Sequence, residues 1–147
     1  MTLGFLVGLF IVVGVLAESS LLIQLAEQMA QWVKSDILLG FTLIIAISVL
    51  ISGFVDNMPY IAAMLPVASA LAEAMQVQPD LFMFGLLIGS CLGGNLTPFG
   101  ASANIVAVGL SEKHGSKVSF WNWVKLAGPF TIITTIAASA FIWFVWA

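Results

Sequence analysis

The stretch GGNLTPFGASAN, residues 93–104, interrupts an otherwise apolar part of the chain. The apolar runs on its two sides, 81–92 and 105–110, are each too short to cross a bilayer, which takes about 20 residues. Non-helical backbone at membrane depth persists only where it is buried in protein or lines a wet cavity. The stretch therefore predicts a discontinuous helix, 81–92 and 102–110, with a binding site at its break. The alternative is an ordinary loop between two short buried helices.

Such a break has a direct chemical use. Unwound backbone frees carbonyl oxygens that can coordinate a cation, and the N-terminus of the following half-helix points N–H groups at an anion. The residues of the break therefore allow either kind of ligand.

The composition places the whole chain in a membrane. Of its 147 residues, 61% are hydrophobic and 7% are charged, whereas a soluble domain carries about 25% charged residues. The basic residues are four lysines and no arginine, which argues against a nucleic-acid partner. The single cysteine, Cys91, excludes an intramolecular disulfide and is expected to be a small buried residue. We therefore predict an all-α, polytopic membrane protein forming a single domain over 1–147.

The remaining apolar runs predict the other membrane elements. Residues 3–17 lack the basic region and cleavage site of a signal peptide, so we interpret them as a retained span. Residues 20–34 show apolar positions at helical spacing opposite polar ones, which is typical of an amphipathic helix on the membrane surface. The runs 37–55 and 57–72 form either two full spans or a re-entrant hairpin, and 126–147 is a last span.

A second polar interruption, SGFVDNMPY at residues 52–60, lies between the two arms of that hairpin. One interpretation is that Asp56 caps a helix in a water-exposed turn, since Pro59 suits a first helical turn. The other is a hairpin tip near mid-membrane, where Asp56 binds a cation or carries a proton and Asn57 ligates or orients it. The residues alone leave both interpretations open.

The lysines and the acids predict the orientation of the chain. Three lysines lie in the polar loop 111–125, which we therefore place on the cytoplasmic side. The mostly acidic segments 18–36 and 73–80 then face outside, with the N-terminus inside and the C-terminus outside. An intramembrane protease needs either two facing carboxylates or a serine–histidine pair, and the predicted topology provides neither. No enzyme is therefore expected. No cofactor is expected beyond a coupling sodium ion or proton.

Two long stretches carry a family resemblance: FVDNMPYIAAMLPV at 54–67 and GSCLGGNLTPFGASANIVAVGLSEKHGSKVSFWNWVKLAGP at 89–129. They resemble the arsenite permease / NhaD-type sodium–proton antiporter family, which includes P protein relatives. That family belongs to the ion transporter superfamily, together with citrate and dicarboxylate carriers. The resemblance implies one inverted repeat with a re-entrant hairpin and a discontinuous helix, corresponding to the C-terminal half of a carrier.

The resemblance also implies a site and a function. Asp56 and Asn57 would form the hairpin tip and could hold sodium, and the helix break would supply Asn95, Thr97, Gly100, Ser102 and Asn104. The expected function is alternating-access transport of a small ion across a bacterial inner membrane, by sodium–proton antiport or as an arsenite or anion permease. Alternatives are half of a dicarboxylate or citrate carrier, a non-transporting membrane subunit and a truncated fragment. The expected partners are lipid and either an N-terminal half or a second copy.

Overall fold

A computed structural model of the chain describes residues 7–8, 11, 14–15, 20–33 and 36–147. The helices are α1 (Ser20–Val33), α2 (Ile37–Ser52), α3 (Asn57–Ala74), α4 (Pro79–Gly93), α5 (Ser102–Lys113) and α6 (Phe120–Trp146). No β-strand occurs in these described residues, which confirms the all-helical class for that part of the chain. The predicted span 3–17 lies outside the described residues apart from isolated positions.

Helix α4 is the centre of the packing. It contacts both hairpin arms, α2 and α3, more extensively than the arms contact each other, and α6 packs on it as well. Helix α1 packs mainly on α3. The core between these helices includes Phe41, Ile44, Val67, Phe82 and Leu86, all nearly or fully buried. The hairpin and the first half of the broken helix therefore form one packed unit.

Glycines on α4 allow this close packing. A Cβ atom at Gly89 would lie 2.7 Å from the Ser48 Cβ and 2.8 Å from the Ile45 carbonyl oxygen. At Gly93 it would lie 2.5 Å from the Val49 Cα. Small residues four apart let two helix backbones touch, and such van der Waals contact drives helix association where lipid removes the hydrophobic difference. The backbones of α2 and α4 are therefore in direct contact up to the helix break.

The hairpin arms are short for full spans. Helix α2 ends at Ser52, and α3 begins after Asp56, which is its N-cap. The 16 residues of α2 extend about 24 Å at 1.5 Å per residue, less than the roughly 30 Å of a hydrocarbon core. Among the helices of the described residues, only α6 is long and apolar enough to cross a membrane. Whether the two arms form a re-entrant hairpin or two full spans stays a prediction.

Helix α6 begins at Phe120 rather than at the predicted 126. Aromatic contacts explain the earlier start, because the Phe120 ring stacks on Phe99 in the helix break with centroids 5.9 Å apart. Phe99 in turn lies 6.2 Å from the Phe54 ring in the hairpin turn. The N-terminus of α6 is thereby fixed beside both polar stretches.

Helix α1 has the two faces that its sequence pattern predicts. Glu27, Gln28 and Gln31 are exposed, whereas Met29 and Val33 are almost fully buried. Its position along a membrane surface stays a prediction.

Candidate ion-binding site at the hairpin tip and the helix break

The two polar stretches that the sequence analysis singled out meet in space. The Ser102 Oγ, at the start of α5, donates a hydrogen bond of 2.5 Å to the Asp56 Oδ2 at the hairpin tip. The Thr97 hydroxyl, in the helix break, donates to the Gly53 carbonyl oxygen in the hairpin turn. Two hydrogen bonds, each between residues more than 40 positions apart in the sequence, therefore join the hairpin tip to the broken helix.

Asp56 fits both of the interpretations that the sequence left open. Its Oδ1 accepts a 3.5 Å hydrogen bond from the Met58 backbone N–H, which makes it the N-cap of α3. Its Oδ2 faces Ser102 across the site, and the residue is half-buried. A carboxylate offers about four lone-pair positions, so two hydrogen bonds leave acceptor capacity for a cation. The helix cap and the candidate ligand are thus the same side chain.

Helix ends also converge at Asp56. Helices α3 and α5 both begin beside the carboxylate, and each N-terminus carries a partial positive charge. The N-cap of α5 is Ala101, which has no side chain to cap the helix. The N–H groups of Ser102 and Ala103 make no hydrogen bond within the described residues. They remain available to a ligand.

The Asn104 side chain holds the helix break in shape. This residue is 9% exposed, and its Nδ2 donates to the Gly94 carbonyl oxygen at 2.9 Å and to the Thr97 carbonyl oxygen at 3.0 Å. The break therefore already uses carbonyls that the sequence analysis treated as free ligands. Asn104 braces the site, and so does Thr97 through its hydroxyl.

Gly100 permits the closest approach between the two stretches. A Cβ atom there would lie 2.6 Å from the carbonyl oxygens of both Gly53 and Gly94. Any larger residue would push the break away from the hairpin turn.

Asn57 and Asn95 occupy different surroundings. The Asn57 Nδ2 donates to the Cys91 Sγ at 3.6 Å, beside Asp56. Asn95 accepts a 3.0 Å hydrogen bond from the Trp123 Nε1 at its backbone carbonyl. Within the described residues its side chain makes no hydrogen bond to Asp56. The predicted site residues therefore divide into a group at the carboxylate, a group that braces the break, and Asn95.

The structure adds two residues that the sequence analysis did not place at the site. Cys91 is exposed next to the hairpin tip, so its expected burial was wrong. The reason is that α4 ends at Gly93, which leaves Cys91 in the last turn beside the break. Trp123, which the sequence analysis did not single out, is half-buried and hydrogen-bonded to the break. No local signal identifies either contact.

The donor set suits a hard cation better than a transition metal. Over the described ranges, no three His, Cys, Asp or Glu side chains come together as a metal cluster. One carboxylate with neutral hydroxyl and amide oxygens is chemistry typical of hard cations. Sodium at Asp56 and Asn57 stays a prediction.

Comparison with known proteins gives one consistent result. The profile of the citrate transporter family (CitMHS) matches residues 1–147. An uncharacterized transporter of Mycobacterium tuberculosis is 36% identical over 144 residues, covering 97% of this chain and 34% of that protein. A 46 kDa membrane protein of Mycobacterium leprae is 36% identical over the same share of each chain. The human P protein is 36% identical over 141 residues, 90% of this chain and 17% of that protein.

The matched relatives are much longer than this chain. The chain spans about a third of the length of the mycobacterial relatives and less than a fifth of the human one. No solved structure matches the chain significantly.

Proposed function

The chain belongs to the citrate transporter family, and on that premise we propose that it forms the ion-binding repeat of a secondary active transporter. Family membership supports its being part of an integral membrane transporter rather than an enzyme. In the proposed mechanism, the hairpin and the broken helix move as a unit against a scaffold, so that the site faces one side of the membrane at a time.

The contact between Asp56 and Ser102 carries this proposal. Intramembrane carboxylates are costly and are retained where they bind or relay ions. Here the carboxylate lies where a hairpin turn, a helix break and two helix N-termini meet. A loop that only connects two packed helices would not require a carboxylate and two helix N-termini to converge.

The proposed substrate of this site is a cation. Asp56 would bind sodium when ionised and release it when protonated, which supports sodium–proton antiport. The Ser102 hydroxyl, which contacts Asp56, and the amide oxygen of the adjacent Asn57 would complete the coordination. A free anion at the same position would be repelled by the negative charge of Asp56. The narrower assignment to arsenite permease / NhaD-type antiporters is part of this proposal.

Citrate transport is the second candidate function. The uncapped N-terminus of α5 favours it, because the free N–H groups of Ser102 and Ala103 suit a carboxylate. We propose further that the relatives' additional length supplies the partner repeat, that the membrane is a bacterial inner membrane, and that the N-terminus lies inside and the C-terminus outside.

Alkylation of Cys91 tests the proposed site on the chain itself. Cys91 is the only cysteine, is exposed, and contacts Asn57 next to Asp56. We expect sodium, against a potassium control, to slow maleimide labelling of Cys91 severalfold in nanodiscs. The Asp56→Asn variant should lose this protection.

Two other results of the labelling experiment would favour a different function. Protection by citrate that persists in the Asp56→Asn variant would favour the second candidate. A labelling rate that no ion changes, both in this chain and in a complete carrier containing it, would support a non-transporting subunit instead.

A further inference from the structure

A cleft of about 420 Å³ lies on the side of the helix break that faces α6. Asp56 and Ser102, whose contact carries the proposed cation site, do not line it. Its lining combines two amides of the break with one face of α6: Asn95, Asn104, Trp123, Leu126, Ala127 and Phe130.

The α6 wall is continuous and apolar. Its four residues, 123, 126, 127 and 130, follow the spacing that places side chains on one face of a helix. None of the residues that line the cleft carries a charge.

The opposite wall offers two amide oxygens as hydrogen-bond acceptors and the NH2 group of Asn95 as a donor. Both N–H groups of Asn104 are taken by backbone carbonyls of the break, so only its Oδ1 is free to bind a ligand. The side-chain amide of Asn95 makes no hydrogen bond within the part of the chain that the structure describes. The indole N–H of Trp123 is already donated to the Asn95 carbonyl oxygen.

From this lining we propose that the cleft binds an uncharged small molecule with an apolar ring and one hydroxyl or N–H donor. The volume lies in the range of about 300–1,000 Å³ that is usual for small-molecule sites, which are mostly apolar with a few placed polar groups. A charged ligand would lack a partner of opposite sign at membrane depth. The donor would bond to an Asn104 or Asn95 oxygen, and the ring would contact Trp123 and Phe130.

A ligand in the cleft would affect the candidate ion site through the helix break. Asn104 ties the Gly94 and Thr97 carbonyls together, so a ligand bonded to its Oδ1 holds the break in its present shape without touching Asp56. Such a ligand would act on transport without competing with the ion. This consequence rests on the proposed function, whereas occupancy itself does not.

Fluorine NMR of two matched probes tests occupancy with the chain in nanodiscs. 4-Fluorophenol has the ring and the donor, and fluorobenzene has only the ring. We expect saturable binding of 4-fluorophenol, with fluorobenzene about fivefold weaker, because one hydrogen bond contributes about 1 kcal/mol. Equal affinities, or no saturable binding of either probe, would overturn the proposal.

Two variants locate the binding. Ala127→Phe fills the cleft, and should weaken binding of both probes at least tenfold. Ala137→Phe makes the same change at an exposed α6 position outside the cleft, and should leave binding unchanged. Unchanged binding in the Ala127→Phe variant would place the probes elsewhere, for example in the apolar groove between α2 and α6.

A third variant, Asn95→Leu, keeps the proposal testable if Ala127→Phe fails to fold. Asn95→Leu keeps the apolar wall and should reduce the difference between the probes while fluorobenzene still binds. Asp56→Asn should not change probe binding at all. If binding behaves as expected while flux is insensitive to Asp56→Asn, the proposed function fails and the cleft remains a binding site.

Discussion

Asp56→Asn is expected to lower ion-driven flux about 100-fold, equivalent to ~2.8 kcal/mol, in a complete carrier that contains this segment. The substitution removes the charge that we propose binds the coupling ion. It keeps an oxygen that can accept from the Met58 N–H, so the cap of α3 survives. Expression and folding should therefore be normal, and the loss should appear in flux measured with proteoliposomes.

Asp36 provides the matched control for this experiment. It is also a helix N-cap, with its Oδ1 accepting from the Leu39 N–H at 3.1 Å, but it is exposed and lies at the start of α2. Asp36→Asn should leave flux within about twofold of the parent. Unchanged flux in the Asp56→Asn carrier, at normal expression, would remove Asp56 from the coupling mechanism.

Asn104→Ala is expected to have the second-largest effect, because it removes the brace of the helix break. The buried Gly94 carbonyl would lose the hydrogen bond from Asn104, whereas the Thr97 carbonyl would keep the one that it accepts from the Gly100 N–H. An unsatisfied buried group costs about 1–3 kcal/mol, so we expect a loss of that size in the free energy of unfolding. Denaturant titration of the purified chain in mild detergent would measure it.

Asn122→Ala is the corresponding control. Asn122 is exposed near the start of α6 and makes no side-chain hydrogen bond in the described part of the chain. Its replacement should change the free energy of unfolding by less than about 0.5 kcal/mol. Equal stability of the two variants would show that the Asn104 contacts do not hold the break.

The local features of the fold could be predicted from the sequence, because the signals for them are themselves local. Glycine, proline and asparagine at 93–104 indicate a helix break whichever elements surround it. The last residue of α4, Gly93, and the first residue of α5, Ser102, lie close to the predicted boundaries of the break. Asp56 followed by Pro59 likewise predicts a helix start, and α3 begins there.

The contacts between elements could not be predicted in the same way. The bond between Asp56 and Ser102 depends on how far the hairpin and the broken helix slide along each other, and no spacing within either stretch encodes that. The close approach at Gly89 and Gly93 depends on which face of α4 meets α2. The hydrogen bond from Trp123 depends on the start of α6, which Phe99 and Phe120 fix through a contact between distant residues.

A disulfide between positions 57 and 91 is the most direct test of the central claim that the hairpin tip and the broken helix form one site. The Asn57 Nδ2 lies 3.6 Å from the Cys91 Sγ, so Asn57→Cys creates the pair with a single substitution. Ser116→Cys is the control, because it lies beyond the 12 residues of α5, which extend about 18 Å. The account predicts that mild oxidation in native membranes removes both free thiols from the Asn57→Cys chain but neither from the control. Two thiols that stay free and reactive at positions 57 and 91 would contradict it.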